Sequence, residues 1–324
     1  MKDFYFVYNS STDPYFNMAF EEYFLKHKKE YYVCIWRNEP AVIVGVNQNT
    51  ISEVNTAYTE NNGIKVVRRL TGGGAVYHDL NNVCYTVIAP YCREEQTFKV
   101  WSLPVVNYLK TLGVNAEFSG RNDLTVNGKK ISGAAETVFN NRLMHHGTLL
   151  FDTDKNELLN ALKENKLKIL DKGIKSVKSR VVNIKELLSC PITITEFIQG
   201  LNNYFKKDLK EYFLTQEDLD EINRLKKEKY STFDWNVGNS PKAVNSNTEK
   251  FPFGIITVNF NTIKGKISSV KFTGDFFSYN GIEGIEKALE GVSYTYNDLL
   301  SALDKIGEYI KGATAEEIAN LFIR

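Results

Sequence analysis

The sequence predicts an α/β (α+β) protein built from two domains, and three observations support this. The chain has 324 residues, which is long for one compact core and typical of two domains. Apolar strand-like runs alternate with segments of helical periodicity along most of its length. Between residues 231 and 251 the composition shifts to Asn, Ser, Gly and Pro, as in a linker. We therefore expect a larger domain at residues 1–245 and a small α/β domain at residues 246–324.

Composition limits the class of protein. The 40 basic and 39 acidic residues leave a formal charge of +1, so no global basic field indicates nucleic acid or an anionic membrane as a partner. The start of the chain does not resemble a signal peptide, and no apolar run approaches the length of a membrane helix. The four cysteines have no C-x-x-C spacing and are expected to be reduced thiols, three of them buried or structural. These features together predict a cytoplasmic protein.

The larger domain begins with a strand at residues 5–8 and a helix that opens at Asp13-Pro14, an N-cap residue followed by proline. Aromatic residues at helical spacing, from Phe16 to Phe24, give this helix one apolar face. We expect that face to lie in the core, with an apolar ligand slot as the alternative. Further strands are predicted at residues 32–36, 41–46, 83–89 and 145–150, and helices at 100–112, 157–168 and 194–205.

The most informative stretch is residues 66–79, VVRRLTGGGAVYHD. Three consecutive glycines suit a place where backbone approaches something closely or adopts positive φ. The arginines before them, Arg68 and Arg69, have the planar fork that suits phosphate or carboxylate. The stretch predicts a loop that binds an anionic ligand, and the alternative is a tight turn with two solvated arginines. It matches neither a P-loop nor a dinucleotide fingerprint, because it lacks the lysine of the first and the helix that follows the glycines in the second.

A second informative stretch, residues 120–133, contains Asn127-Gly128 between two strand-like segments, which is the strongest short hairpin signal. With these two residues as the turn, Thr125 faces Lys130 and Asp123 faces Ser132. These four residues are then expected to share a polar face, while Leu124, Val126 and Ile131 face the core. Lys130 would lie diagonally across from the Asp123 carboxylate. The alternative is an ordinary surface ion pair.

Two adjacent histidines, His145 and His146, lie in a predicted strand and must point to opposite faces. They cannot easily bind one metal ion, and no Cys/His spacing typical of zinc is present. Residues 175–180 are basic and residues 179–183 are predicted to be a loop, with a solvated surface segment as the alternative. The small domain is predicted to contain strands at 254–260 and 266–272, then two or three short helices, the last opening with a capping box at Thr314–Glu317.

These motifs together resemble the lipoate–protein ligases. The family's signature loop is similar to residues 68–79, and its lysine motif to residues 120–124 followed by Lys130-Ile131-Ser132-Gly133. Residues 15–17, 145–150, 179–181 and 235–236 fit the same family, so the resemblance covers essentially the whole chain. It implies a mixed-sheet catalytic domain of the biotin/lipoate ligase type and a small accessory domain. One departure is Asn81, where the family usually has glycine; asparagine tolerates a left-handed backbone better than most residues.

The resemblance implies an ATP-dependent ligation in two steps. Lipoate is first activated to lipoyl-AMP, and the lipoyl group then passes to a lysine of an acceptor protein. The implied catalytic residue is Lys130. The implied ATP-binding residues are Arg69, Gly74, Ala75, Val76, Tyr77 and Lys130, and the implied lipoate-binding residues are Gly72, Gly73, His78 and Lys130. Asp123, on the Lys130 face, is the candidate ligand for Mg²⁺. The implied acceptors are lipoyl domains of 2-oxoacid dehydrogenase E2 subunits and the glycine cleavage H protein.

Three other functions compete with this one. A lipoyl or octanoyl transferase of the same superfamily would use a cysteine and no ATP, but those enzymes generally lack the accessory domain. A biotin ligase shares the catalytic fold, but its signature alternates arginine and glycine where this chain has Gly72-Gly73-Gly74. A lipoate- or nucleotide-binding module without catalysis is disfavoured by the presence of Lys130, Arg69 and Asp123.

Overall fold

The computed structural model describes residues 4–92, 98–120, 122–163, 180–238, 245–279 and 281–323. Its strands are β1 Phe4–Tyr8, β2 Tyr31–Trp36, β3 Ala41–Val44, β4 Lys65–Arg68, β5 Val76–His78, β6 Asn82–Pro90, β7 Glu117–Ser119, β8 Asp123–Val126, β9 Lys129–Phe139, β10 Arg142–Leu150, β11 Lys210–Phe213, β12 Asn245–Phe251, β13 Gly254–Ile263 and β14 Lys266–Gly274. Its α-helices are α1 Pro14–His27, α2 Thr50–Glu53, α3 Thr56–Asn61, α4 Phe98–Thr111, α5 Lys155–Ala161, α6 Ile194–Lys206, α7 Gln216–Leu225, α8 Glu283–Leu289, α9 Tyr296–Ala302, α10 Ile306–Tyr309 and α11 Ala315–Ile323.

An eight-stranded sheet forms the frame of the larger part, in the order β11-β1-β2-β6-β10-β9-β8-β7. Strand β1 runs parallel to both β2 and β11, whereas the pairs from β2 through β6, β10, β9 and β8 to β7 are antiparallel. The sheet is therefore mixed, which confirms the predicted fold class. A separate three-stranded sheet, β4-β3-β5, joins β3 parallel to β4 and antiparallel to β5.

The two faces of the large sheet are covered by different elements. On one face, α4 and α6 supply Tyr108, Leu109, Phe197 and Leu201 to a core shared with alternating residues of β2 and β6. On the other face, a core joins α1 and α7 to residues of the same strands and to β3 and β4 of the small sheet. The small sheet thus lies over one part of the large sheet. The candidate site is formed between these two sheets.

Helix α1 begins where the sequence predicts it. Asp13 is the N-cap, and its carboxylate accepts a hydrogen bond from the Tyr15 backbone N–H at 3.1 Å. Eleven residues of the helix are buried, so its aromatic stripe lies in the core, as expected. The buried set also includes Asn17, Glu21 and Glu22, which are polar or charged and need partners inside the protein.

The hairpin between β8 and β9 has the predicted turn but a different register. Asn127 and Gly128 adopt φ values of 50° and 74°, as a type I′ turn requires. Thr125 pairs with Lys130 as predicted, but a β-bulge follows, so Asp123 pairs with Gly133. The prediction that Asp123 faces Ser132 was wrong, because the bulge adds one residue to β9 and shifts every later pair. Ser132 is buried opposite Leu124 and does not lie on the polar face.

The C-terminal part has its own apolar core, formed by the antiparallel sheet β12-β13-β14 and the helices after it. Four short helices are described here, where the sequence predicted two or three. Strand β12 occupies most of the second half of the stretch predicted as linker, since an edge strand tolerates polar residues. The capping box is confirmed: the Thr314 and Glu317 side chains each accept from the other residue's backbone N–H. The boundary at residues 245/246 stays a prediction.

Several smaller predictions are resolved. Cys34 and Cys84 are buried, whereas Cys92 and Cys190 are exposed, so Cys92, predicted to be buried or structural, is not buried. Asn81 has no positive φ; its backbone N–H is held by the Asp79 carboxylate at 2.9 Å, so the turn needs no glycine. Residues 164–168 of one predicted helix and 175–179 of the basic loop lie outside the described residues. Among the helices that the structure describes, none is both long and apolar enough to span a bilayer.

Candidate active site

A cavity of about 720 Å³ lies between the large sheet and the small sheet. Its floor crosses the large sheet from strand to strand: Trp36 pairs with Cys84, Cys84 pairs with Thr148, and Gly133 pairs with Asp123. A weak hydrogen bond of 3.4 Å from the Gly133 N–H to Thr148 Oγ1 joins the two halves of this row. Adjacent strands are about 4.8 Å apart, so the four steps of the row span about 19 Å.

The two ends of the cavity differ in burial. At one end Trp36, Cys84 and His78 are at most 4% exposed. At the other end the side chains of Lys130 and Asp123 are 37% and 33% exposed. Met18 and Ile43 line the cavity and are buried. The cavity therefore has a closed, mostly apolar end and an open, charged end.

Lys130 occupies the open end and forms an ion pair with Asp123, with an Nζ–Oδ1 distance of 2.7 Å. The bulge in β9 makes this contact possible because it places Gly133 beside the lysine. A Cβ atom at Gly133 would lie only 2.7 Å from Lys130 Nζ. Arg180 also lines the cavity, on a segment whose Val182 N–H donates to the Lys130 carbonyl at 3.0 Å. Two cationic side chains thus face one carboxylate at this end.

The three-glycine segment forms part of the cavity wall through close backbone approaches. Gly73 has a φ of 89°, and a Cβ at Gly45 would lie 2.1 Å from the Gly73 carbonyl oxygen. A Cβ at Gly72 would lie 2.3 Å from the carbonyl oxygen of Phe276, in the C-terminal part. The sequence prediction of close backbone approach in the three-glycine segment is therefore confirmed. The loop packs against other backbone of the protein as well as lining the cavity.

Arg69 is buried and holds the glycine loop in shape. Its guanidinium donates to the carbonyl oxygens of Ile43, Gly72 and Gly74 at 3.0, 2.6 and 2.9 Å, and to Thr71 Oγ1 at 2.8 Å. Burial lowers its pKa to about 10, so it remains charged at neutral pH. Arg69 also lines the cavity. Most of its donors are nevertheless used by the protein.

Arg68 lies in a shell of backbone carbonyls. It makes six side-chain hydrogen bonds, to the carbonyl oxygens of Gly45, Val46, Gln48, Trp235 and Asn236 and to Thr50 Oγ1. Burial lowers its pKa to about 10. The alternative of two solvated arginines is therefore wrong. Arg68 joins β4 to the segment that carries Trp235 and Asn236.

A buried polar network that sequence reasoning missed supports the loop. Glu21 accepts from His146 Nδ1 at 2.9 Å and from Thr86 Oγ1 at 2.6 Å. On its other side, His146 Nε2 accepts from Thr71 Oγ1 at 2.8 Å, and Thr71 accepts in turn from Arg69. The network connects α1 through the floor strands to the glycine loop. A glutamate inside a stripe of aromatic residues was the signal in the sequence that could have indicated it.

The predicted site residues are brought together with one exception. Arg69, Gly73, Gly74, Ala75, Val76, Tyr77, His78, Asp123 and Lys130 all line the cavity. Gly72 is not among the lining residues and packs against Phe276. Asp275 of the C-terminal part also lines the cavity, which the sequence did not indicate. Asp79 is structural, since its carboxylate accepts from the backbone N–H groups of Asn81 and Asp154.

The donor set at the open end can be compared with what a metal ion needs. Among the described residues no group of three or more His, Cys, Asp or Glu side chains could hold a metal by itself. Mg²⁺ is commonly bound by one or two carboxylates together with substrate phosphates. The single carboxylate of Asp123 fits that second pattern.

Two family models match the chain: "Lipoyl protein ligase A/B catalytic domain" over residues 13–206, and "Bacterial lipoate protein ligase C-terminus" over residues 240–322. The lipoate-protein ligase LplJ of Bacillus subtilis is 42% identical over 320 residues, covering 96% of this chain and 97% of the relative. Lipoate–protein ligase 1 of Staphylococcus aureus is 42% identical over 306 residues, covering 93% of each chain.

The chain is also similar in structure to solved lipoate ligases. LipL1 of P. falciparum in complex with lipoate has a TM-score of 0.80 and 27% identity, covering 98% of this chain and 97% of that one. A lipoate-protein ligase A bound with ATP has a TM-score of 0.63 and 27% identity, covering 74% and 99%. A bipartite lipoate protein ligase from Thermoplasma acidophilum, described with its E2 lipoyl domain, has a TM-score of 0.66 and 29% identity, covering 76% and 100%.

Proposed function

The chain belongs to the lipoate–protein ligase family, and from that membership we propose that it activates lipoate with ATP and transfers the lipoyl group to a lysine of an acceptor protein. The observation that carries the proposal is one continuous cavity. It joins a cationic open end at Lys130 and Arg180 to a closed apolar end at Trp36. An acid with a long apolar chain can lie along this row, with its carboxylate at Lys130.

In the first step a carboxylate oxygen of lipoate attacks the α-phosphorus of ATP. A bond forms between this oxygen and the α-phosphorus. The bond from the α-phosphorus to the oxygen that bridges it to the β-phosphorus breaks, and pyrophosphate leaves with the electron pair. Two anions must approach each other, so fixed positive charge is the main requirement. Lys130 Nζ would contact both the acyl oxygen and the α-phosphate, and Arg180 would add positive charge beside it.

In the second step the amine of an acceptor lysine attacks the acyl carbon of lipoyl-AMP. An amide bond forms, the bond from that carbon to the phosphate oxygen breaks, and AMP leaves while the amine loses a proton to solvent. Lys130 would stabilise the negative charge that develops on the acyl oxygen. No cysteine is required as an acyl carrier. The buried thiols of Cys34 and Cys84 suit this, because burial raises the pKa of both well above the ordinary value.

Asp123 would hold Mg²⁺, which supplies additional positive charge to the phosphates when it is bound. Its carboxylate is paired with Lys130 at 2.7 Å, so an ion held by Asp123 would add its positive charge beside the Lys130 ammonium. Backbone from Gly74 to Tyr77 would line the nucleotide, and Gly72 would act by holding the loop. We propose lipoyl domains of E2 subunits and the glycine cleavage H protein as acceptors, in the cytoplasm.

The test is lipoate-dependent release of pyrophosphate in the presence of ATP and Mg²⁺. We expect Lys130→Ala to reduce it by roughly 10²- to 10³-fold, as for other groups that stabilise developing charge. Lys129→Ala is the matched control, since the neighbouring lysine is exposed beside the turn and does not line the cavity. If the wild type released no pyrophosphate but moved a lipoyl group from a donor protein, the ligase proposal would be wrong.

A further inference from the structure

Asn122 lies directly before β8 and is hydrogen-bonded twice to one residue of β9. The Ala134 backbone N–H donates to the Asn122 carbonyl oxygen at 2.9 Å, and Asn122 Nδ2 donates to the Ala134 carbonyl oxygen at 2.5 Å. In an ordinary antiparallel ladder the second bond would come from the backbone N–H of the facing residue. The side-chain amide of Asn122 takes that place, so the two bonds clamp Ala134 opposite Asn122.

The position of this clamp bears directly on the register of the hairpin. Thr125 pairs with Lys130 near the turn, and Asn122 pairs with Ala134 at the far end. Between these two pairs the chain advances by three residues on the β8 side and by four on the β9 side. One residue of β9 must therefore form a bulge, and that residue is Ile131, which is buried in the core. The clamp thus acts together with the burial of Ile131.

The bulge decides which residue lies beside Lys130. In the bulged register Gly133 lies opposite Asp123, and a Cβ at Gly133 would be only 2.7 Å from Lys130 Nζ. In a hairpin without the bulge Ser132 would face Asp123, and its side chain would fill the space that the lysine ammonium occupies. The ion pair between Lys130 and Asp123, at 2.7 Å, therefore depends on the extra residue in β9.

We propose that Asn122 is a positioning residue for Lys130: its side-chain amide holds the β8–β9 register that brings the Lys130 ammonium against Asp123. The proposal rests on the proposed function, because it takes Lys130 as the group that stabilises charge on the acyl oxygen and the α-phosphate. Asn122 also lines the cavity, so direct contact of its side chain with a substrate is the competing role. The two roles differ in whether the effect of Asn122 requires Lys130.

Lipoate-dependent pyrophosphate release by Asn122→Asp and Asn122→Ala tests the amide donor. Aspartate has nearly the same size as asparagine and keeps an acceptor oxygen, but its carboxylate cannot donate to the Ala134 carbonyl. We expect each variant to lower kcat/KM about tenfold, because a misplacement of about 1 Å can cost about 10²-fold and the rest of the hairpin limits the shift. Wild-type activity in Asn122→Asp would overturn the proposal. The matched control, Asn62→Ala, should leave kcat/KM unchanged, because Asn62 Nδ2 also donates to a backbone carbonyl, that of Tyr58 at 2.9 Å, but Asn62 does not line the cavity.

A double-mutant cycle distinguishes positioning from direct contact with a substrate. Residues that act as one unit have effects that do not add. We expect Asn122→Ala to lower kcat/KM about tenfold in the wild type, and by less than about twofold in the Lys130→Ala background, where no ammonium remains to be placed. An equal loss in both backgrounds would show that Asn122 acts on the substrate itself, and it would overturn the positioning role.

Amide hydrogen exchange measures the clamp without catalysis. In the protein without substrates, we expect the Ala134 amide to exchange about tenfold faster in Asn122→Asp than in the wild type, because one of the two bonds that hold this residue is lost. Asn62→Ala should leave the rate unchanged. An unchanged rate at Ala134 in Asn122→Asp would overturn the clamp even if the activity fell. If the rate rose while the wild type released no pyrophosphate with lipoate, the proposed function would fail and the register clamp would stand.

Discussion

At the scale of single residues, the position of Lys130 depends on a neighbour that has no side chain. The Lys130–Asp123 ion pair at 2.7 Å occupies the space where a Cβ of residue 133 would be. The sequence identified both charged residues and the hairpin that carries them. It could not identify the bulge, because the extra residue in β9 is fixed by the packing of Ile131 and Ser132 and not by the turn.

Gly133→Ala is expected to displace the Lys130 ammonium without unfolding the hairpin. The backbone at this position has no positive φ, and the atom that a Cβ would meet is the flexible end of a lysine. Displacing a catalytic group by about 1 Å can reduce the rate about 10²-fold. Pyrophosphate release should therefore fall on that order while the melting temperature stays close to that of the wild type. Full activity in a folded Gly133→Ala protein would contradict the proposed role of Lys130.

His78 predicts how stability depends on pH. Its pKa is about 3 in the folded protein and near the ordinary 6.5 when unfolded, because burial disfavours the charged ring. Between about pH 3 and pH 6.5 the unfolded chain therefore binds a proton that the folded protein does not bind. Above about pH 6.5 His78 does not lower the free energy of unfolding. Below it, that free energy falls by about 1.4 kcal/mol per pH unit until the folded pKa is reached.

Urea unfolding measured at about pH 7 and about pH 5 checks this prediction. We expect the wild type to lose roughly 2 kcal/mol more than His78→Phe between these conditions. His27→Phe, at an exposed position of α1, is the control and should retain the pH response of the wild type. The same pH response in wild type and His78→Phe would show that His78 is not a neutral buried group.

At the scale of elements, the sequence predicts many of the strands and helices, but it does not predict α7 or β11, and it assigns the edge strand β12 to a linker. Helix α1 is visible from its cap and its aromatic spacing, and β10 from its apolar run. The arginine pair is different. Guanidinium groups can donate to phosphate and to backbone carbonyls, so residue type alone could not show that Arg68 and Arg69 hold protein segments together. Only the folded positions of Gln48, Thr50 and Trp235 decide this.

Arg68→Met should loosen the junction of β4, the loop after β3 and the segment of Trp235. The variant keeps the length of the side chain and removes six hydrogen bonds, which leaves several buried carbonyl groups unpaired. We expect the free energy of unfolding to fall by about 3 kcal/mol or more. Urea denaturation measures this change. Arg224→Met, at an exposed position of α7, should change it by less than about 1 kcal/mol, and equal losses in the two variants would contradict the role of Arg68.

At the scale of the whole molecule, the C-terminal part contacts the candidate site directly. Gly73 N–H donates to the Phe276 carbonyl at 3.4 Å, and Gly274 N–H donates to the Asn47 carbonyl at 2.8 Å. Phe277 packs against Phe98 and against alanines of β9. The sequence indicated a second domain by its composition and its capping box. It held no signal for this contact, because the contacts are made largely by backbone atoms.

Gly72→Ala should separate the glycine loop from residues 274–278. The new Cβ would meet the Phe276 carbonyl oxygen at 2.3 Å, and a backbone atom cannot step aside as a side chain can. We expect faster amide hydrogen exchange, by about tenfold, in peptides that contain Gly73 and Gly274. Ser278→Ala, which removes only the 3.2 Å hydrogen bond from Asn47, should have a much smaller effect. Unchanged exchange in a folded Gly72→Ala protein would show that the contact does not restrain the loop.

The contact between Gly73 and Phe276 has a thermodynamic consequence. A ligand that changes the shape of the glycine loop changes how tightly the C-terminal part is held, and the reverse change in affinity must equal it in free energy. Binding in the cavity and attachment of the C-terminal part are thus thermodynamically coupled. A measurement at either place reports on the other.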